Sequence, residues 1–242
     1  MFSNRDYRCR SARKGLVPFV VTVKETDLHI QACADLSDIA LRAVLRHRSY
    51  IESFIESDPL FGTSFKPVEQ KTFAPAIIKE MIDASKKAGV GPMAAIAGAV
   101  SQFTGLDLLE YSDEVIVENG GDIFFKTGSD TTFTIFAGNS PLSMKIGVKI
   151  QPQRVPMGLC TSSGTIGHSR SFGNADAVTV ISPSCTLADA AATALANMVK
   201  TKKDIEKAIE TGKSIKGVKG ILVIIGDKLG AWGELELVPI KL

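Results

Sequence analysis

Two kinds of hydrophobic periodicity occupy separate stretches of this chain, and that separation limits the fold more than any other feature. Between Ser37 and Gly105 apolar residues recur at helical spacing; beyond Gly105 short alternating runs dominate. No regular strand–helix–strand rhythm develops, so the order predicts an α+β fold with a largely antiparallel sheet, not a doubly wound parallel one. Leu41, Val44, Leu45, Ile51, Phe54 and Ile55 define one helix over 37–57, stopped at Asp58-Pro59 because proline disfavours a helical residue before it. Ile77, Ile78, Met81 and Ile82 define a second over 75–88, with Gly89 as its left-handed cap. A third begins at Pro92 and runs through Ala94-Ala-Ile-Ala-Gly-Ala-Val100, whose small side chains permit close approach by a backbone or a ligand.

Phe19–Val23 and Leu28–Ala32 predict a hairpin. Glu114–Glu118 and Asp122–Phe125 bracket an Asn119-Gly-Gly turn, and strands are also predicted over Thr131–Ala137, Met144–Ile150, Asp176–Ser182, Ile221–Ile225 and Glu234–Val238. An alanine-rich helix spans about 186–200, followed by a polar one at 202–210. No internal repeat or linker is read, so residues 1–242 are taken as a single domain. The segment Gly158–Gly173 is rich in hydroxyls and glycine and is expected to bury almost nothing, which suggests that a phosphorylated ligand orders it.

Charge excludes some partners. Lys and Arg number 28 against 26 Asp and Glu, a net +2 without a basic stripe, which argues against a nucleic-acid reader. Leu16–Val23 is broken by Pro18 and reads as a strand, and nothing approaches the roughly 20 apolar residues needed to cross a bilayer. Cys9, Cys33, Cys160 and Cys185 are widely spaced, which fits reduced thiols in a cytoplasmic protein better than disulfides or structural zinc.

Each chemistry-bearing candidate has two readings. Asp189 and Thr193 lie one helical turn apart and present two oxygens to one side, a donor set suited to Mg²⁺. Equally, an early aspartate favours the helix dipole and a mid-helix threonine bonds back to a carbonyl. Asn119, Gly120, Gly121 and Asp122 make either an ordinary hairpin turn or a turn whose amides face an anion. Thr161, Ser162, Ser163 and Gly164 have the ingredients of an anion nest, or of a plain connection. Cys160 is a small buried hydrophobe or a nucleophile with His168 as base; His168, set among serines and glycines, is the histidine expected to meet substrate.

Read together, these segments resemble the ApbE superfamily of FAD:protein FMN transferases, and more closely a compact branch of microbial proteins within it. The resemblance rests on Lys24-Glu-Thr-Asp-Leu28, Gly91-Pro-Met-Ala-Ala95, Val117-Glu-Asn-Gly-Gly-Asp122, Ala137-Gly-Asn-Ser-Pro-Leu142, Cys160-Thr-Ser-Ser-Gly164 and Ala188-Asp-Ala-Ala-Ala-Thr-Ala194. It implies an ApbE-like, T-fold-like arrangement of antiparallel sheet and packed helices. It also implies that Asn119–Asp122 and Thr161–Gly164 border a site for FAD or FMN, and that Asp189 and Thr193 help hold Mg²⁺ beside the pyrophosphate. The chain departs from the transferases at Ala95-Ile-Ala-Gly-Ala99, where their glycine-lysine-glycine-tyrosine type signature would stand, and at Thr165–Ser171, where they carry an aromatic-rich segment.

Three functions follow as expectations. One is a Mg²⁺-dependent transferase or pyrophosphate-cleaving enzyme acting on a flavin or related nucleotide, with His168 as acid or base. Another is a non-catalytic protein that binds a flavin or other phosphorylated metabolite. The third is thiol chemistry of sulfur metabolism through Cys160 and His168.

Overall fold

The computed structural model describes residue 13 and residues 15–70, 73–164 and 172–240. Strands β1 (Val17–Val23) and β2 (Thr26–Ala32) form the first hairpin, which turns at Lys24 with φ of 53°. Helices α1 (Ser37–Ser57), α2 (Pro59–Thr63), α3 (Ala76–Ala88) and α4 (Ile96–Leu108) follow, with a 3₁₀ turn at Pro92–Ala95 leading into α4. Next come β3 (Val115–Asn119), β4 (Asp122–Lys126), β5 (Thr131–Thr134), β6 (Ile146–Ile150), β7 (Met157–Ser162) and β8 (Ala177–Ser182). Helices α5 (Cys185–Met198) and α6 (Ile205–Ser214), flanking a 3₁₀ turn at Lys202–Asp204, precede β9 (Gly220–Ile225), β10 (Lys228–Gly233) and β11 (Glu236–Pro239).

The main sheet runs β1-β2-β3-β4-β7-β8-β9-β10, antiparallel at every pairing. This is the α+β class expected from the segregated periodicities. The order also contains a repetition that the amino acids conceal: two strands, helices, two strands, then the same again. The halves meet at β4 and β7, where Asp122 pairs with Cys160. A three-stranded sheet, β11-β6-β5, lies separately.

These layers account for the burial pattern. The core on the helix side includes Leu28, Ile30, Val117, Phe124, Val180 and Ile221. Residues of opposite parity, Ile116, Phe125, Leu159, Ile181 and Leu222, form a second core with Phe133 and Val148 of the small sheet. Strands β8 and β9 are covered on both faces and buried at all positions, so they read as continuous apolar runs. Helix α5 is surrounded in the same way, with ten buried residues. A helix apolar on nearly every side belongs inside, and alanine lets its neighbours come close.

Three readings need correction. The segment from Gly158 does not bury almost nothing: Met157 to Cys160 are buried in β7, because Gly158 and Leu159 complete the pairing of β4 with β8. A whole strand, β10, was missed because its Lys228-Leu-Gly-Ala-Trp-Gly233 sequence carries two glycines and lies at the exposed sheet edge. The last strand is correspondingly short, Glu236–Pro239.

Gly158 shows how close the helix comes to the sheet. A Cβ there would stand 2.3 Å from the Cys185 Cα, backbone that cannot swing aside. Gly158→Ala is expected to cost about 1–3 kcal/mol through overpacking. It should lower the melting temperature by several degrees in differential scanning calorimetry; an unchanged transition would contradict this packing.

Candidate functional site

The site begins with a helix start that its own residues do not cap. Ala95, at the N-cap of α4, offers no side-chain acceptor. The need is met from another helix: Asp189 of α5 accepts the Gly98 N–H at 2.8 Å through Oδ2, and also bonds the Ala97 amide. Unsatisfied amides and the positive end of the macrodipole make this position favourable for a carboxylate. Asp189 is buried, and desolvation raises its pKa to about 7 despite those hydrogen bonds.

The Asn119-Gly-Gly-Asp turn closes against the same helix. Gly120 and Gly121 have φ of 66° and 119°, as a tight reversal between β3 and β4 requires. Asn119 Nδ2 donates to the Ala97 carbonyl at 3.3 Å, Ser101 Oγ donates to the Asp122 carbonyl at 3.0 Å, and the Thr161 N–H donates to the Gly121 carbonyl at 3.2 Å. Helix, turn and β7 are thereby tied together. Asp122 is half-buried, and its pKa is pushed well up by desolvation and then by repulsion from Asp189, against a relieving hydrogen bond from Cys160. No cationic side chain among the described residues offsets either carboxylate.

Cys160 lies beneath this pair and is fully buried. Its thiol reaches the Cys185 carbonyl at 3.3 Å and the Cys185 sulfur at 3.4 Å. Burial, Cys185 and the two aspartates all raise its pKa, the opposite of what an activated nucleophile needs. The geometry makes Cys160 a packing group whose thiol meets Cys185, and it gives Cys185, which has no role in the sequence reading, a place beside it. His168 lies outside the described residues.

Thr193, one turn beyond Asp189, is half-buried. Thr161, Ser162, Ser163 and Gly164 carry β7 out of the sheet beside the turn, but two of their polar groups are engaged: Thr161 Oγ1 shares a hydrogen bond with Thr179 Oγ1 at 2.9 Å, and the Gly164 N–H donates to the Ala175 carbonyl at 2.8 Å. The predicted turn, the exit of β7 and Asp189 therefore converge at the start of α4, while Thr193 lies one turn further along α5. The sequence reading did not find the amides of Ala97 and Gly98. The small-residue run over 94–100 was their one visible trace.

This architecture, two antiparallel strand–helix–strand halves joined in one sheet, matches the fold of solved ApbE proteins. The flavinyl transferase ApbE of Pseudomonas stutzeri superposes with a TM-score of 0.57 over 90% of this chain and 94% of its own, at 13% identity. The ApbE protein of Thermotoga maritima gives 0.56 over 89% and 96%, also at 13% identity. A family model described as "AbpE bacteria" matches residues 8–237. Similar relatives include UPF0280 proteins of Methanococcus aeolicus, 39% identical over 89% of both chains, and of Methanocaldococcus jannaschii, 40% identical over 81% and 82%. The chain belongs to this family, a compact branch of the ApbE superfamily. Among the described residues no helix is long and apolar enough to cross a membrane, and no group of three or more His, Cys, Asp or Glu side chains is set to hold a metal ion.

Two outcomes are expected. Asp189 keeps its proton to about pH 7 when folded but only to about 3.8 when unfolded, so the folded state holds the extra proton between those values. Stability from this group is fully present below that window and declines as pH rises through it. In metal-free protein, Asp122→Asn should raise the melting temperature at pH 8 and change it little near the unfolded carboxylate value of 3.8; equal effects at both pH values would contradict the carboxylate repulsion. Iodoacetamide should label Cys33, which is exposed, and leave Cys160 and Cys185 unmodified until denaturant is added, as peptide mapping can show.

Proposed function

We propose that this protein is a Mg²⁺-dependent enzyme acting on a flavin dinucleotide or related nucleotide, by transfer of a flavin phosphate or cleavage of the pyrophosphate. One observation carries the reading: half-buried Asp122 and buried Asp189, with no cationic partner among the described residues, stand beside the start of α4 and the Gly120-Gly121 turn. The donor set fits Mg²⁺, a hard ion that takes one or two carboxylates and completes its shell with water and substrate phosphate. This agrees with the lack of an all-protein cage among the described residues. Asp189 and Thr193 would hold the ion, with Asp122 adding charge from the strand below. When bound, Mg²⁺ would polarise a phosphoryl oxygen and orient the leaving group.

The chain's own groups do the rest. Gly120 and Gly121 let the turn approach a phosphate closely, and Ser162 offers a hydroxyl at the end of β7. His168 is proposed as the group that holds or moves a proton. Burial raises the Cys160 thiol pKa, which favours the phosphate chemistry over the thiol reading. The free thiols Cys33, Cys160 and Cys185 fit work in the reducing cytoplasm.

One observation favours a second reading, in which nucleotide binds without turnover: Ala95–Ala99 has neither the lysine nor the aromatic residue of the transferase signature. A single experiment separates the two. FAD with Mg²⁺ should raise the melting temperature and release AMP or FMN, measured by chromatography. Asp189→Asn, which keeps an acceptor for the α4 amides, should abolish both effects of Mg²⁺. Stabilisation with FAD recovered intact selects the binding protein, and neither stabilisation nor turnover overturns both readings.

A further inference from the structure

The described residues include two phenylalanines from distant loops that meet on the surface. Phe65 is 60% exposed and Phe172 is 57% exposed, and their rings pack edge to face with centroids 5.8 Å apart. Two large apolar rings held this open, each on a tightly seated backbone, are not explained by core packing. Phe172 is anchored through its N–H, which donates to Asn197 Oδ1 of α5 at 2.8 Å. The next residue, Gly173, sits so close to α5 that a Cβ would stand 1.8 Å from the Ala196 carbonyl oxygen. On the other side, Gly91 approaches the chain before Phe65 equally closely, 1.8 Å from a Cβ to the Ser64 carbonyl oxygen. Both rings are thus presented by backbone that has little room to move.

Their position relative to α5 gives them a purpose. Asp189, Thr193 and Asn197 are four residues apart and share one face of that helix. Burial falls along this face, from buried Asp189 through half-buried Thr193 and Asn197 to the exposed ring of Phe172. At 1.5 Å rise per residue, the eight residues from Asp189 to Asn197 span about 12 Å. The helix face therefore forms a ramp with acid at the inner end and aromatic surface at the outer end.

We infer that Phe65 and Phe172 form a stacking platform for the planar heteroaromatic ring of a nucleotide whose phosphates lie at Asp189 and Thr193. The inference rests on the phosphate end proposed above and adds the specificity element at the other end. Phenylalanine supplies a face and an edge for any flat heterocycle and no hydrogen-bond code, so the platform selects for a ring and not for a particular base. The ring could be the isoalloxazine or the adenine, and the two are distinguished by which half of the dinucleotide feels the substitution.

Isothermal titration calorimetry on the full chain with Mg²⁺ tests this with FAD, FMN, ADP and inorganic pyrophosphate. Phe172→Ala and Phe65→Ala should each weaken FAD by about 10-fold, within the range seen when an aromatic partner of a stacked base is removed. FMN should weaken in parallel if the isoalloxazine occupies the platform, ADP if the adenine does, and pyrophosphate should bind as in the wild type. Phe172→Trp should retain FAD affinity. If an alanine variant fails to fold, Phe→Leu at the same position keeps the apolar bulk, removes the ring and should show the same loss. FAD affinity within twofold of wild type in the folded variants overturns the platform while leaving the phosphate site standing. No binding of any nucleotide to the wild type overturns the phosphate site and the platform with it.

Discussion

A carboxylate on one helix serves as the missing cap of another, and the site is arranged around that bond. The amides that open α4 are buried, and buried donors without partners are among the costlier defects a fold can carry. Asp189 meets them from α5. The same bond fixes the two helices against each other at the point where Asn119 and Ser101 hold the glycine turn to α4. The register of the turn, the position of Asp122 and the approach of β7 all depend on this helix start.

The arrangement has an electrostatic cost. Asp122 and Asp189 face each other in an interior that supplies hydrogen bonds but no cationic side chain among the described residues, so both resist ionisation. Nothing in stability alone calls for two such groups: a serine or asparagine at 189 could also cap α4. Local conflict of this kind, tolerated inside an otherwise consistent core, concentrates where a protein handles a ligand. The buried thiol pair fits the same view, since Cys160 offers Asp122 a hydrogen bond while bringing no charge.

Much of the scaffold was legible because its signals are local. The helix at 37–57, the left-handed cap at Gly89, with φ of 74°, and the Asn119-Gly-Gly turn each follow from a few neighbouring residues. Features set by distant partners were not legible. Gly158 and Leu159 read as loop because the strands on either side of them lie elsewhere in the chain. The repeated half-fold leaves no repeated sequence, since α4 and α5 are small-residue helices of different composition placed in equivalent layers. Asp189 showed its charge and its helical spacing with Thr193, but its bond to α4 depends on the packing of two helices about 90 residues apart, which no window of sequence contains.

That packing also accounts for the small residues at Ala95, Gly98 and Ala99. Ala95 and Ala99 are fully buried, and Gly98 lies where a Cβ would come within 2.5 Å of the Cys185 carbonyl oxygen. A lysine at these positions would have to bury its ammonium beside α5, at a desolvation cost that only a well-formed ion pair could offset. Small residues are therefore the condition for α4 to sit close enough for Asp189 to reach its amides. Two carboxylates stand against the partial positive charge of one helix end, about half an elementary charge, with no cationic side chain among the described residues. The small residues that open α4 and the carboxylate that caps it are then two sides of one close helix contact.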